Sequence, residues 1–271
     1  MTIEGDAPRT ASDDDDAFYT QLAPDRFAST RATVGPWDAS LQHGGPPIAL
    51  VARAMDRLPT APGMRLARLS VELLGPVPVD ELTLEAEVVR PGARIALVAA
   101  TARVRERAVL RAVGWKIAAV EGRSPAGEVE PAPDLPEPQR QVFFGGMESF
   151  PYGRALEWRF VDGAFDRLGP ATVWTRARIP LVRGQPISGL ERLLVMLDSA
   201  NGVSAELDLR EWTFVPVDQT LVLHRHPEGE WVGMAARTTL GSAGIGLTRT
   251  RVFDAKGVFG RSLHTLFVAR R

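Results

Sequence analysis

The 271-residue sequence predicts an α+β protein made of two copies of one unit, each a helix wrapped by an antiparallel sheet. Three observations carry this. A Pro- and Glu-rich stretch, "SPAGEVEPAPDLPEPQR" (124–140), interrupts the chain near its middle with a composition that cannot pack a core. Residues 69–90 lie without gaps on 218–239, and 96–117 lie on 245–266, both at an offset of 149. In each half, one helix signal precedes long runs rich in Val, Leu, Thr and Ala.

Taken in order, residues 1–22 read as a flexible acidic tail, in which the run Asp13 to Asp16 is solvated. The first half spans 23–122. Its helix is expected over 46–58, inside "QHGGPPIALVARAMDRL", where Gly-Gly followed by Pro marks a helix start. The strands "LSVELLGPVPVDELTLEAEVVR" and "ALVAATARVRERAVLRAVGWKI" follow, turning at "RPGAR" and "RERA". A Pro/Glu-rich linker covers 123–148, and the second half spans 149–271. There, "ALEWRFVD" and "ATVWTRARIPLV" suggest early strands. The second helix lies in "ISGLERLLVMLDSANG", where Ser188 and Glu191 make a capping box. Leu190, Leu193, Leu194 and Leu197 form its apolar stripe. Its later strands repeat those of the first half. Pro78 coincides with Pro227, Glu81 with Glu230, Thr101 with Thr250 and Val109 with Val258, while "RERA" meets "DAKG".

Bulk composition removes several classes of function. A net charge of −1 argues against a nucleic-acid partner, which calls for a basic excess. Without cysteine there is no disulfide framework, thiolate metal site or cysteine nucleophile. Four histidines (His43, His224, His226, His264) are too few for a His-based metal cluster, so no metal and no cofactor are expected. No signal-peptide pattern and no bilayer-length apolar run is present, which leads us to expect a soluble cytoplasmic protein with no membrane partner.

Three segments, in this order along residues 27–271, resemble the thioesterase II (TesB-like) group of acyl-CoA thioesterases: "QHGGPPIALVARAM", "RLSVELLGPVP…EAEVVRPG" and "MLDSANG…FVPVDQTLVLHRHPEGEWVGMAAR…GVFGRSLHTLFVAR". The resemblance implies two tandem hotdog folds forming an internal pseudo-dimer. It also implies acyl-CoA as the partner, hydrolysis of its thioester, and a site where the halves meet. Hotdog proteins commonly associate further, so a homo-oligomer, a dimer of such chains, is expected. Carried over residue by residue, the family's acid matches Asp198. Its hydroxyl residue falls on Pro216, which has no hydroxyl. Its glutamine falls at or next to His264.

Hydrolysing a thioester needs an activated water and a receiver for the charge that develops on the carbonyl oxygen. Asp198 is the candidate base, since its place at the edge of an apolar stripe raises a carboxylate pKa. His264 is the second catalytic candidate, able to orient water or bond the substrate. His43, Gly44 and Gly45 are candidates for substrate binding, because amides at a helix start can receive the thioester oxygen. The alternative is a tight turn with His43 merely packed. Thr220 is a further binding candidate on the strand face of Pro216, although four residues along a strand is roughly 13 Å. At the offset of 149, Ala49 falls on Asp198, and the second half has Gly189 alone where the first has Gly-Gly. One copy keeps the glycines and the other the acid, which predicts a single composite site. Two other readings stay open. One is an enoyl-CoA hydratase or dehydratase, although the Asp-to-His spacing of those enzymes is missing. The other is a non-catalytic acyl-CoA-binding protein, favoured by Pro216.

Overall fold

The structure, a computed structural model, describes residues 15–144 and 150–271. Most of the expected acidic tail, residues 1–14, lies outside the described residues, and part of the remainder is a strand. The first half runs β1 (Tyr19–Ala23), β2 (Arg26–Ser29), α1 (Gly45–Asp56), β3 (Met64–Leu73), β4 (Glu81–Arg90), β5 (Ile95–Val104) and β6 (Arg107–Ala118). The second runs α2 (Pro151–Arg154), β7 (Leu156–Ala164), β8 (Arg167–Ala177), α3 (Gly189–Leu197) and α4 (Ala200–Val203). It continues through β9 (Trp212–Pro216), β10 (Asp218–Leu223), β11 (Trp231–Leu240), β12 (Ile245–Asp254) and β13 (Gly257–Arg270).

One sheet joins the strands in the order β1-β2-β4-β5-β6-β3-β10-β13-β12-β11-β8-β7, with β9 also pairing β13. The order reads the same from either edge once the halves are matched. At the centre β3 meets β10, with Leu69 opposite Leu221 and Ser70 opposite Thr220. Outward from that seam, β6 mirrors β13, β5 mirrors β12, β4 mirrors β11, and the pairs β1–β2 and β7–β8 close the edges. The repeat seen in the sequence is this mirror. It extends beyond the matched segments, because the edge pairs β1–β2 and β7–β8 are also equivalent. The matched turns use different devices: Arg105 takes a positive φ of 53° inside the turn between β5 and β6, whereas Gly257 takes 106° as the first residue of β13.

Along β5 and β12 alternate residues are buried, so each strand turns one row of side chains inward. Against that inner face lie the two long helices. In α1, Ile48, Ala49, Leu50 and Val51 are all fully buried. A helix covered on every side needs no polar stripe, which explains why this segment shows no amphipathic pattern. α3 has the expected stripe, with Leu193, Leu194 and Leu197 fully buried, and the Ser188–Glu191 capping box forms as read. The helices cross antiparallel: the start of α1 meets the end of α3, and Arg53 near the end of α1 meets Glu191 near the start of α3. Among the described residues, no helix is long and apolar enough to cross a membrane.

Candidate active site

At the antiparallel crossing, the bare start of α1 is pushed against the end of α3 and its cap, Asp198. Pro46 and Pro47 contribute no N–H, so Gly44 and Gly45 supply the amides available at this helix mouth. A Cβ on Gly44 would stand 2.9 Å from Asp198 Oδ2, and one on Gly45 would overlap the Val195 carbonyl oxygen. The glycines are there because a helix backbone and a carboxylate occupy the space a side chain would need. Gly45→Ala is therefore expected to force α1 and α3 apart. The expected cost is about 1–3 kcal/mol of stability, read as a lower denaturation midpoint, together with reduced turnover as Asp198 shifts.

Asp198 caps α3 and is only 7% exposed. Burial pushes its pKa up to about 6, against a smaller opposing pull from the amides of Gly44 and Gly45. Its Oδ2 lies 3.1 Å from His43 Nδ1, while Oδ1 has no hydrogen-bond partner. His43 is itself buried, which lowers its pKa to about 3 and keeps the ring neutral. The Gly45 amide points at His43 Nδ1 at 3.3 Å, and Ser199 Oγ is 3.5 Å from Nε2. The imidazole stacks on Tyr152, ring centroids 3.8 Å apart and 5° from parallel.

Asp198, His43, Gly44 and Ser199 stand at the wall of a pocket of about 350 Å³ between the two halves. Trp37 and Val77 come from the first half, and Phe144, Phe150, Phe165 and Pro216 from the rest of the chain. Apolar walls with a few convergent polar groups suit a substrate that carries a hydrocarbon chain to one reactive centre. Among the described residues no group of three or more His, Asp or Glu side chains could hold a metal ion.

Of the sequence candidates, the structure brings together Asp198, His43, Gly44 and Gly45. It does not bring Thr220 or His264 to the pocket wall. Thr220 alternates with the buried Gln219 and Leu221, so it lies on the outer face of β10, where its hydroxyl bonds Ser70 Oγ at 2.9 Å. His264 faces inward on β13 opposite Thr248, fully buried, with neither ring nitrogen hydrogen-bonded. Burial lowers its pKa to about 4, with a weaker opposite pull from Asp218. The amide of Gly45 is also committed, to Nδ1 and the carboxylate, and is not a free donor. Two residues at the centre of the site escaped the sequence reading: Ser199, one place beyond Asp198, and Tyr152, just after the linker.

Comparison with known proteins adds the family. Residues 33–117 match the acyl-CoA thioesterase N-terminal domain, and residues 126–268 match the acyl-CoA thioesterase C-terminal domain. Among solved structures, the tesB protein of Mycobacterium avium subs. paratuberculosis is 15% identical, with 93% of this chain and 96% of that one covered at a TM-score of 0.66. The acyl-CoA thioesterase II TesB2 of Mycobacterium marinum is 15% identical over 95% and 96% of the two chains, also at 0.66. A hot-dog-fold protein of Alicyclobacillus acidocaldarius is 18% identical over 94% and 97%, at 0.71. At such identities these structures speak to the fold, a tandem hotdog over nearly the whole chain. No curated protein matches the sequence at a significant level. With one thioesterase domain matched on each half of the sheet, the chain belongs to the acyl-CoA thioesterase family and is a thioester hydrolase with a double-hotdog fold.

Proposed function

We propose that the chain hydrolyses acyl-CoA to a free acid and CoA, with Asp198 activating the attacking water. One observation carries this reading: a buried carboxylate beside an apolar pocket, its pKa pushed up to about 6. A base with that pKa is mostly ionised at neutral pH yet still binds a proton firmly. The acyl chain lies against Trp37, Val77 and the phenylalanines, and its carbonyl carbon faces Asp198. Asp198 takes a proton from water as the oxygen attacks, and the carbonyl oxygen becomes an oxyanion. Once protonated, the carboxyl loses its hold on the amide of Gly44, which is then free to receive that oxyanion with the positive end of α1 behind it. The carbon–sulfur bond breaks, and the Asp198 proton passes to the leaving sulfur. The proposed division, 23–122 and 149–271 joined by the 123–148 linker, puts the donor in one hotdog and the acid in the other.

Pro216 favours one rival, a binder without turnover, because it stands in the pocket wall with no hydroxyl to hold a water. An assay of thioester loss across acyl-chain lengths and pH separates the readings. We expect turnover, with kcat/KM climbing about tenfold per pH unit up to about pH 6 and levelling above it. Tight acyl-CoA binding with no free CoA released would select the binder, and water addition to an enoyl-CoA would select a hydratase.

A further inference from the structure

Asp198 is the end of a hydrogen-bond chain that leads into the core, and that chain has a direction. Tyr152 is fully buried, and its hydroxyl lies 2.7 Å from the Val195 carbonyl oxygen. A carbonyl only accepts, so the Tyr152 proton goes there. The same phenolic oxygen is 2.8 Å from Ser199 Oγ and, with its own proton used, it accepts from Ser199. Towards His43 Nε2, Ser199 then presents lone pairs only, which favours a proton on Nε2 and leaves Nδ1 bare. An independent contact agrees: the Gly45 amide is aimed at Nδ1, which a bare nitrogen accepts and an N–H would oppose. Asp198 Oδ2 is 3.1 Å from that same bare nitrogen. Two lone pairs at this distance repel, and a proton on Asp198 turns the contact into a hydrogen bond.

We propose that Tyr152 and Ser199 are positioning residues that lock His43 as its Nε2–H tautomer, so that the proton Asp198 takes from the attacking water is held in a hydrogen bond to His43 Nδ1 until it passes to the leaving sulfur. The proposal rests on Asp198 as the base. Stacking on Tyr152 keeps the imidazole oriented for this contact. The titratable groups around Asp198 are His43 before α1, Tyr152 on α2 and Asp38 further along the pocket wall. The same pocket wall also carries Leu73 of β3, Val215 of β9 and Val217 between β9 and β10, none of which titrates. Burial keeps Tyr152 protonated and His43 neutral, the two forms the chain requires.

Tyr152→Phe removes the oxygen that takes the Ser199 proton. Ser199 is then free to donate to Nε2, the imidazole proton moves to Nδ1, and the Asp198 carboxylate gains a donor. The acid limb of kcat/KM against pH should move down by about one unit. Ser199→Ala should move it the same way by less, and it stands in if Tyr152→Phe does not fold. Nitrogen-15 NMR reads the His43 tautomer without any turnover, with the signal assigned by its loss in His43→Gln. At about pH 5 the wild-type protein should show Nε2–H, and Tyr152→Phe at about pH 8 should show Nδ1–H. An unmoved or raised acid limb in a folded Tyr152→Phe protein, or Nδ1–H in the wild type at the lower pH, overturns the proposal. Failure of Asp198 as the base shows itself separately, as unchanged turnover in Asp198→Asn.

Discussion

Asp198→Asn is expected to lower kcat/KM for an acyl-CoA by about 10²–10⁴-fold, the usual contribution of a positioned base, while making the folded protein more stable at neutral pH. Both effects come from burial. The folded chain raises the Asp198 pKa from 3.8 to about 6, so it binds that proton more tightly than the unfolded chain does. Stability from this group is therefore complete below about pH 4 and is lost as pH rises through about 6. Ionising Asp198 at about pH 8 costs the folded state about 3 kcal/mol, from roughly two units at 1.36 kcal/mol each. Asn keeps the shape, carries no charge and avoids that cost. Thermal unfolding at about pH 8 should show the Asn variant melting above wild type, with the gap closing towards about pH 4. A gap of equal size at both ends of the range would mean that ionisation is not its source. Full turnover by the variant would remove Asp198 from the chemistry altogether.

The meeting of Gly44 and Gly45 with the Asp198 end of α3 was legible in the sequence because the repeat itself is asymmetric. Gly-Gly precedes one helix and an acid ends the other, and antiparallel helices must then bring those two ends together. The strands were legible for a related reason, since buried and exposed residues alternate along them and each half repeats the other. Thr220 and His264 show where such reasoning stops. Thr220 is set on the wrong side of the sheet by a one-residue difference in parity from Gln219. His264 has the right parity but sits over Thr248, away from the pocket wall, and only the strand register shows that. Tyr152 was out of reach because its meaning lies in contacts with Val195, Ser199 and His43, which are far from it in sequence. A tyrosine after a proline-rich linker carries no local sign of them.

Arg53→Met is expected to destabilise the fold by about 3–5 kcal/mol, the usual penalty for stranding one partner of a buried ion pair. At the far end of the helix crossing, Arg53 and Glu191 occupy the place that a second, symmetry-related site would take. Their side chains are 5% and 6% exposed, with Arg53 Nη1 2.5 Å from Glu191 Oε1. The other guanidinium nitrogen, Nη2, donates to Gln185 Oε1. Glu191 also bonds back to the Ser188 amide at 2.9 Å, so the same carboxylate caps α3. Removing Arg53 leaves that carboxylate buried without its cation, while the cap itself survives. Adding Glu191→Gln should therefore restore most of the loss, because Gln still closes a capping box and carries no charge. The denaturant midpoint should fall in the single variant and recover in the double, with the slope unchanged in both. Turnover per folded molecule should match wild type throughout, because the pair stands at the opposite end of α1 from Gly44 and His43. A double variant as unstable as the single would mean that Arg53 holds the helices by packing its stem, and not by its charge.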